Sequence, residues 1–337
     1  MKKKTQKLLI AIIVISLLAS TGYLFLFKAP NLSLPGNDCV FSVKETTSLQ
    51  DILTQNSISL KSETTLKISS TLKQLNSIKP GRYRLTNGMS NGEIIREFRS
   101  GGIATVKIRI DDVTTLEELA GRLGFNLLHD SAYFMSTFLN DSLLQSMGIS
   151  PGDATILIRP NTYEFYWDMS GPTFLKKMKS EFDKLWNENR LKQSDEIGMS
   201  PSEVTVLASI VKAETANSDE APRIAGLYLN RLRIEMPLQS DPTTLFGRKK
   251  SAQRVYLSDL QADTPYNTYK ITGLPPGPIN FPETVYIDAV LKAESHGYIF
   301  MCAEPGATGK HRFAKSLAEH ERNRTDYVNW LQKRGIE

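Results

Sequence analysis

Residues 200–214 read Ser-Pro-Ser-Glu-Val-Thr-Val-Leu-Ala-Ser-Ile-Val-Lys-Ala-Glu, and this stretch predicts one helix with a well-marked start. Ser200 can cap the helix, Pro201 suits its first position, and Glu203 completes a capping box with Ser200. We therefore expect a helix from Pro201 that ends near Glu214.

The last residue of this helix, Glu214, shares its apolar face. Leu207, Ile210 and Val211 precede it at helical spacings of seven, four and three residues. Burial and the negative end of the helix dipole both disfavour a charged carboxylate, so we expect a raised pKa for Glu214. Such a group suits general-acid cleavage of a glycosidic bond. The alternative is a glutamate that faces water, with Lys212 close by.

The N-terminus predicts a membrane anchor. Lys2, Lys3, Lys4 and Lys7 precede an uncharged run from Leu8 to Phe27. That run is long enough to cross a bilayer as a helix, and the lysines place its start in the cytoplasm. A cleaved signal peptide is less consistent, because the apolar run continues past the small residues 19–22.

The charge of the chain excludes one class of partner. Its net charge is +5, but residues 1–28 hold five lysines and no acid, so the remainder carries 36 basic and 36 acidic side chains. We expect no nucleic-acid partner. Two cysteines, Cys39 and Cys302, form no disulfide framework, and the four histidines lack metal-ligand spacing. We expect neither a metal nor a cofactor.

A strand, a polar turn and a capped helix recur three times in the first part of the chain. Each predicted helix has a serine or threonine cap and an acid three residues on: Ser48 with Asp51, Ser90 with Glu93, and Thr115 with Glu118. Residues 41–85 predict one β-α-α-β module. Farther on, we expect helices over residues 131–147 and 172–193.

The C-terminal third is rich in proline-containing loops with polar and aromatic side chains, which suit sugar recognition. We select as substrate contacts Gln239, Asp241, Tyr266 and Asn267. Each could instead fix a loop, and the Ser-Asp-Pro context of Asp241 is also typical of a turn cap. His311 and His320 receive no proton-transfer role.

Together these segments resemble the YceG-like (MltG) family of endolytic murein transglycosylases. The resemblance runs from about Phe41 to the C-terminus and is most specific at residues 207–215, which look like the family's active-site helix with Glu214 at the catalytic position. Further matching blocks are Asn230-Arg231-Leu232, Leu238-Gln-Ser-Asp241-Pro242-Thr243, Tyr266-Asn267-Thr268-Tyr269 and Gly273-Leu-Pro-Pro-Gly277-Pro-Ile279. The chain departs from the family pattern at Asn161, usually aspartate, at Lys212, often a second glutamate, and at Ile110-Asp111-Asp112, usually Pro-Glu-Gly.

The resemblance implies an α+β fold with a transmembrane helix, a small LysM-like α+β module and a mixed α+β transglycosylase domain whose catalytic glutamate lies on a helix. The expected divisions are a cytoplasmic tail, an anchor, a linker, the LysM-like module and the catalytic domain, over residues 1–7, 8–27, 28–40, 41–104 and 105–337. The expected location is the cytoplasmic membrane, with the catalytic domain outside.

The implied activity is a lyase reaction within peptidoglycan glycan strands, which would terminate nascent strands and leave 1,6-anhydro-muramic ends, with cell-wall synthases as partners. One acid suffices for this chemistry, whereas ordinary glycosidases use two carboxylates. Two alternatives stay open. One is a non-catalytic cell-wall-binding scaffold, and the other is a hydrolytic muramidase in which Asp241 would be the second acid.

Overall fold

The N-terminal segment forms one long helix, α1 (Lys2–Phe27), in a computed structural model that describes residues 2–100, 105–248, 256–306 and 308–335. Within α1, Gln6–Phe27 is long and apolar enough to cross a membrane. At 1.5 Å per residue these residues extend about 33 Å, close to the thickness of a bilayer core. The apolar side chains of this helix are exposed as far as Phe25, whereas Phe27 is buried in the first unit. A signal sequence would meet the same criteria of length and composition.

The chain divides into two compact units, and the first comprises Met1–Lys107, Asn126–Leu128 and Glu164–Met169. After α1 its elements are β1 (Leu32–Ser33), β2 (Asp38–Val43), α2 (Leu49–Gln55), β3 (Ser59–Leu60), α3 (Glu63–Leu72), β4 (Gly81–Thr86), α4 (Asn91–Ser100) and the start of β5 (Thr105–Arg109). Apart from the two-residue strand β3, which pairs with β1, the order β2-α2-α3-β4 matches the predicted β-α-α-β arrangement. Strands β2 and β4 pair antiparallel with Phe41 opposite Tyr83, and both rings lie in the core of this unit beside Phe98.

The segment predicted as a linker, residues 28–40, is partly structured. Leu32 is only 1% exposed and pairs with Leu60 across strands β1 and β3. The neighbouring Asn31 is also buried, and its amide donates to Asn91 Oδ1 at 2.6 Å. Leu32, together with the partly buried Leu34 and Cys39 and the hydrogen-bonded Asn31 amide, thus incorporates this segment into the first unit.

The second unit comprises Ile108–Phe125, His129–Tyr163 and Ser170–Glu337. The remaining elements are α5 (Leu116–Asn126), α6 (Ser131–Phe138), α7 (Asp141–Ser146), α8 (Ala154–Leu157), β6 (Thr162–Tyr166), α9 (Gly171–Leu185), α10 (Glu188–Glu196), α11 (Pro201–Glu214), α12 (Ala221–Arg233), α13 (Asp241–Gly247), α14 (Leu257–Leu260), α15 (Thr284–Leu291), β7 (Phe300–Ala303), β8 (His311–Ala314) and α16 (Leu317–Gln332). Strands β7 and β8 form a two-stranded antiparallel sheet.

Two predicted helices are each divided into two by an asparagine. Asn187 accepts a hydrogen bond from the Arg190 amide at 3.0 Å and starts α10, so residues 172–193 do not form one helix. Asn140 starts α7 in the same way, at 3.0 Å from the Leu143 amide, within the predicted helix 131–147. In both cases apolar periodicity continues across the break, and the asparagine side chain caps a new helix.

The predicted start signals of the other helices are confirmed. The serine or threonine oxygen accepts from the backbone amide three residues on in the pairs Ser48–Asp51, Ser90–Glu93, Thr115–Glu118 and Ser200–Glu203. These caps satisfy amide groups that a helix leaves unpaired at its start.

Helix α11 lies at the centre of the second unit. Its residues from Val204 to Val211 are all buried, and it packs against α12, α13 and α15. A helix buried on all sides needs an apolar or small residue at nearly every position, and this stretch supplies them. Its C-terminal residue, Glu214, is thereby held in a fixed position.

Candidate active site

Glu214 is the last residue of α11, and it lies where the chain turns from helical to extended backbone at Thr215. The neighbouring Lys212 does not solvate this turn. Its Nζ donates to the Phe281 carbonyl at 2.8 Å and to Glu283 Oε1 at 2.7 Å, which fixes the segment that precedes α15. The lysine therefore has a structural contact away from the Glu214 carboxyl group.

Two hydroxyl groups bind the carboxyl group of Glu214 on the same oxygen. Tyr228 Oη on α12 donates to Oε1 at 2.7 Å, and Ser240 Oγ donates to Oε1 at 2.5 Å. Both donors are buried, while Glu214 itself is half-buried. Within the described ranges, both hydrogen bonds to this carboxyl group end on Oε1.

The pKa of Glu214 is raised, as the sequence predicts. Desolvation by the surrounding protein is the main cause, and the negative charge of Asp241 acts in the same direction. The hydrogen bonds from Ser240 and Tyr228 and the nearby His311 oppose this rise without cancelling it. The pKa of Tyr228 is raised well above its ordinary value, first by burial and then by the charge of Glu214, so Tyr228 remains a hydrogen-bond donor.

His311 forms a pair with a buried carboxylate. Its backbone amide donates to Glu220 Oε1 at 2.8 Å, and its Nδ1 lies 2.8 Å from Glu220 Oε2. Glu220 is 8% exposed and directly precedes α12, whereas His311 begins β8. This pair ties the β7–β8 hairpin to the start of α12 and places an imidazole near Glu214. His320 instead stacks on Phe300, with ring centroids 5.3 Å apart.

Ser240 is positioned by its backbone. Its amide donates to Thr268 Oγ1 at 2.9 Å, and its carbonyl accepts from Thr243 Oγ1 at 2.7 Å. The preceding carbonyl of Leu238 accepts a hydrogen bond from Arg231 Nη1 at 2.5 Å. Because these contacts use the backbone of residues 238–240, the serine hydroxyl stays available for Glu214.

The four predicted substrate contacts occupy different environments. Gln239 is exposed and adopts φ of 49°, with its amide bonded to the Thr268 carbonyl. Tyr266 is half-buried and packs edge-on against Phe246 at 4.8 Å between ring centroids. Asn267 is 0% exposed, and its amide group donates to the carbonyls of Leu260 and Ala262. For Asn267 the geometry favours the loop-fixing alternative.

Asp241 differs from the predicted turn cap. It is the first residue of α13, and Ser240 occupies the cap position but directs its hydroxyl to Glu214. The exposed carboxylate of Asp241 accepts a hydrogen bond from Tyr269 Oη at 2.6 Å. Asp241 therefore acts on Glu214 through its charge, and Tyr269 holds it in place.

Sequence reasoning missed Tyr228, Ser240 and Tyr269 as parts of this site. Tyr228 has the spacing of a core residue on α12, and Ser240 and Tyr269 lie inside motif blocks without a feature that distinguishes them from loop residues. Their proximity to Glu214 and Asp241 depends on how α11, α12 and the loops pack. In the described part of the chain, no group of three or more His, Cys, Asp or Glu side chains could hold a metal ion.

Comparisons with known proteins match most of this chain. The family model described as YceG-like family matches residues 41–326. The endolytic murein transglycosylase of Bacillus subtilis (strain 168) is 25% identical over 315 residues, which cover 89% of this chain and 85% of the relative. The endolytic murein transglycosylase of Streptococcus pneumoniae serotype 2 is 26% identical over 290 residues, 76% of this chain and 52% of that protein. The chain thus spans about half the length of the streptococcal relative.

One solved structure supports the fold. The crystal structure of a yceG-like protein from Listeria monocytogenes superposes with a TM-score of 0.58 at 24% identity, and the match covers 85% of this chain and 98% of the other.

Proposed function

The chain belongs to the YceG-like family, and from this premise we propose that it is a peptidoglycan lytic transglycosylase with Glu214 as its catalytic acid and base. The proposed reaction cleaves the β-1,4 bond between N-acetylmuramic acid and N-acetylglucosamine within glycan strands. The observation that supports it most is the carboxyl group of Glu214, whose pKa is raised by desolvation at the end of a buried helix.

The hydrogen bonds around Glu214 suit the first step, protonation of the leaving glycosidic oxygen. In the neutral acid, one oxygen is a carbonyl acceptor and the other carries the proton. Because Tyr228 and Ser240 both donate to Oε1, the proton belongs on Oε2. An acid held protonated at a pH above the ordinary glutamate range can then deliver this proton to the substrate.

In the second step the same group acts as a base. After proton transfer Glu214 is a carboxylate, which the two hydroxyl donors and nearby His311 stabilise. It removes the proton from the C6 hydroxyl of the muramic sugar, and the C6 oxygen attacks C1 to form the 1,6-anhydro ring. The attacking group is part of the substrate, so the step gains from proximity and needs no second carboxylate to activate water.

Substrate contacts are proposed at the exposed side chains beside the acid. Gln239 and Asp241 flank Ser240 and are both exposed, so they can reach sugar hydroxyl groups. Tyr266 offers a half-buried ring for a sugar face. Asn267 supports the loop that carries these residues, through its hydrogen bonds to Leu260 and Ala262.

We further propose that α1 anchors the protein in the cytoplasmic membrane with its lysine-rich start inside. The β-α-α-β part of the first unit is then a LysM-like module that binds glycan outside the cell membrane. A transglycosylase held at the membrane meets strands as they are polymerised, so its cuts would terminate nascent strands beside cell-wall synthases.

Mass spectrometry of digested peptidoglycan tests the reaction. Wild-type protein should release fragments with 1,6-anhydro-muramic ends, and Glu214→Gln should release them at least about a hundredfold more slowly while keeping its circular dichroism spectrum. Reducing ends from the wild type would favour the hydrolytic muramidase, for which the charged Asp241 near Glu214 is the candidate second acid. No cleavage by the wild type, together with retained glycan binding, would favour the scaffold.

A further inference from the structure

A cavity of about 340 Å³ lies in the first unit where α1 ends. The last turn of α1 contributes Tyr23 and Phe27 to its wall, and the chain continues into Lys28, which also lines it. Lys73 at the end of α3 and one face of α4 close the other sides. The cavity has no part in the proposed cleavage reaction.

The wall of this cavity is strongly cationic. Four basic side chains line it, which are Lys28, Lys73, Arg96 and Arg99, together with the single carboxylate of Glu93. All four are exposed, and within the described residues none of them forms an ion pair. Four unpaired cations around one cavity call for an anionic ligand.

Glu93 is bound to the start of α4 and offsets only one of the four positive charges. Its Oε2 accepts hydrogen bonds from the Ser90 amide and the Ser90 hydroxyl, both at 2.8 Å. These two bonds are the main reason that the pKa of Glu93 is lowered, so the group stays ionised and bound to Ser90. The cavity keeps a net excess of three positive charges.

The walls of this cavity are held in place, because the C-terminal end of α1 is fixed to the rest of the first unit. The Leu26 carbonyl accepts hydrogen bonds from Asn91 Nδ2 at 2.8 Å and from Ser69 Oγ at 3.0 Å. A methyl group at Gly92 would lie 2.6 Å from the Phe27 carbonyl oxygen, so only glycine allows this approach. Arg96 and Arg99 follow Gly92 by four and seven residues and therefore lie on the same face of α4.

The position of this cavity relative to the membrane indicates which kind of anion it binds. If α1 crosses the bilayer up to Phe27, the cavity beside Phe27 and Lys28 lies at the depth of the outer headgroups, where a tyrosine such as Tyr23 is also favoured. Arginine side chains bind phosphate through paired N–H groups. We propose that this cavity binds the phosphate headgroup of an anionic glycerophospholipid in the outer leaflet. This inference rests on the membrane anchor proposed above.

Such a contact would fix how the first unit stands on the membrane. The lipid phosphate bridges the end of α1, the end of α3 and the face of α4, so the unit cannot turn freely about its anchor. Lys73 already contributes to this arrangement, since its Nζ lies 5.2 Å from the centre of the Phe27 ring.

Native mass spectrometry of the full chain in detergent tests the proposal. The probes are phosphatidylglycerol and phosphatidylcholine of equal chain length. The wild type should retain phosphatidylglycerol preferentially, and Arg96→Gln/Arg99→Gln should lower this retention about tenfold, because each arginine supplies charge-assisted hydrogen bonds. The matched variant Lys67→Gln/Arg84→Gln removes the same charge from exposed residues of this unit outside the cavity and should retain the lipid.

Equal retention of the two lipids by the wild type, or an equal loss in both double variants, would overturn the proposal in favour of unspecific charge attraction. Displacement of the lipid by inorganic phosphate at the same phosphorus concentration would identify a free-phosphate site and also overturn it. Circular dichroism of both variants controls for folding. Carbonate extraction of cell membranes tests the anchor separately, so a failed anchor and a failed lipid site give different results.

Discussion

The two ends of α11 carry the same residue type in opposite settings. Glu203, in the first turn, is exposed, and its Oε2 accepts hydrogen bonds from the Ser200 amide at 2.8 Å and the Ser200 hydroxyl at 2.7 Å. Glu214, at the last position, is desolvated, and its Oε1 is bound by Tyr228 and Ser240. One glutamate completes a helix cap, and the other is a candidate acid.

The difference shows that location on the helix determines what a carboxyl group can do. At the N-terminus, backbone amides and the positive end of the dipole favour the ionised form. At the C-terminus the dipole is unfavourable, and burial adds to it, so the neutral form gains. Glu203 and Glu214 therefore form a matched pair for mutation on a single helix.

The largest expected effect is on the reaction rate. Glu214→Gln should lower the rate of anhydro-product release by at least about a hundredfold, since general acid–base catalysis contributes roughly 10²–10⁴. Glu203→Gln, the same change on the same helix, should cleave peptidoglycan at nearly the wild-type rate. Timed digests of purified glycan strands measure both rates. Equal losses in the two variants would mean that the glutamates support the helix and not the chemistry.

A smaller effect is expected from the hydroxyl donors. Ser240→Ala and Tyr228→Phe each remove a hydrogen bond that lowers the pKa of Glu214, so each should raise that pKa further and move the pH–rate profile to higher pH. The loss of one such bond should slow the reaction roughly fivefold to tenfold, from about 1 kcal/mol or slightly more.

Ser194→Ala is the control for these donors. It removes a buried serine hydroxyl that donates to the Met199 carbonyl, within the same unit but without contact to Glu214. Its pH–rate profile should match the wild type. A shifted pH–rate profile in Ser194→Ala, or an unshifted one in Ser240→Ala, would mean that the hydroxyl donors do not control the titration of Glu214.

The smallest expected effect is on stability, and it has opposite signs at the two ends of α11. Above pH 4.5 the replacement of Glu214 should stabilise the protein, whereas the replacement of Glu203 should destabilise it. The folded-state pKa of Glu214 is raised from its usual 4.5, so the wild type loses stability relative to Glu214→Gln as pH rises from about 4.5 through the raised value. Below this window the glutamate is neutral in both states, and the two proteins should melt alike. Thermal melts at a series of pH values measure the difference. An increase in the stability of the wild type relative to Glu214→Gln with rising pH would contradict the raised pKa.

At the other end of the helix, Glu203→Gln should lower stability at neutral pH by about 0.5 kcal/mol, because it removes a charge that favours the helix N-terminus. The same thermal melts at neutral pH measure this loss. An increase in stability would contradict a stabilising role of the Glu203 side chain in the helix cap.

The sequence predicts well the features that depend on a few neighbouring residues, and poorly those that depend on contacts between residues far apart in the chain. The start at Ser200, the end at Glu214 and the β-α-α-β order all follow from caps and periodicity within a few residues. The helix breaks at Asn140 and Asn187 were missed, because a capping side chain interrupts an otherwise continuous apolar pattern.

The site illustrates the same limit. Glu214 could be selected from its place on one helix, but the donors that bind it come from α12 and from the loop before α13. Asn267 resembles a sugar ligand in sequence, and only packing shows that its amide is used within its own loop. Which polar residue of a loop faces inward depends on tertiary contacts that no short window contains.

The sequence separations within the site also bear on how it assembles during folding. The bonds from Tyr228 and Ser240 to Glu214 close chain segments of 14 and 26 residues, whereas the His311–Glu220 pair closes one of 91. The entropic cost of closure grows with segment length, and contacts between distant residues form more slowly. We therefore expect the acid and its donors to come together first, and His311 to arrive with the final docking of the β7–β8 hairpin.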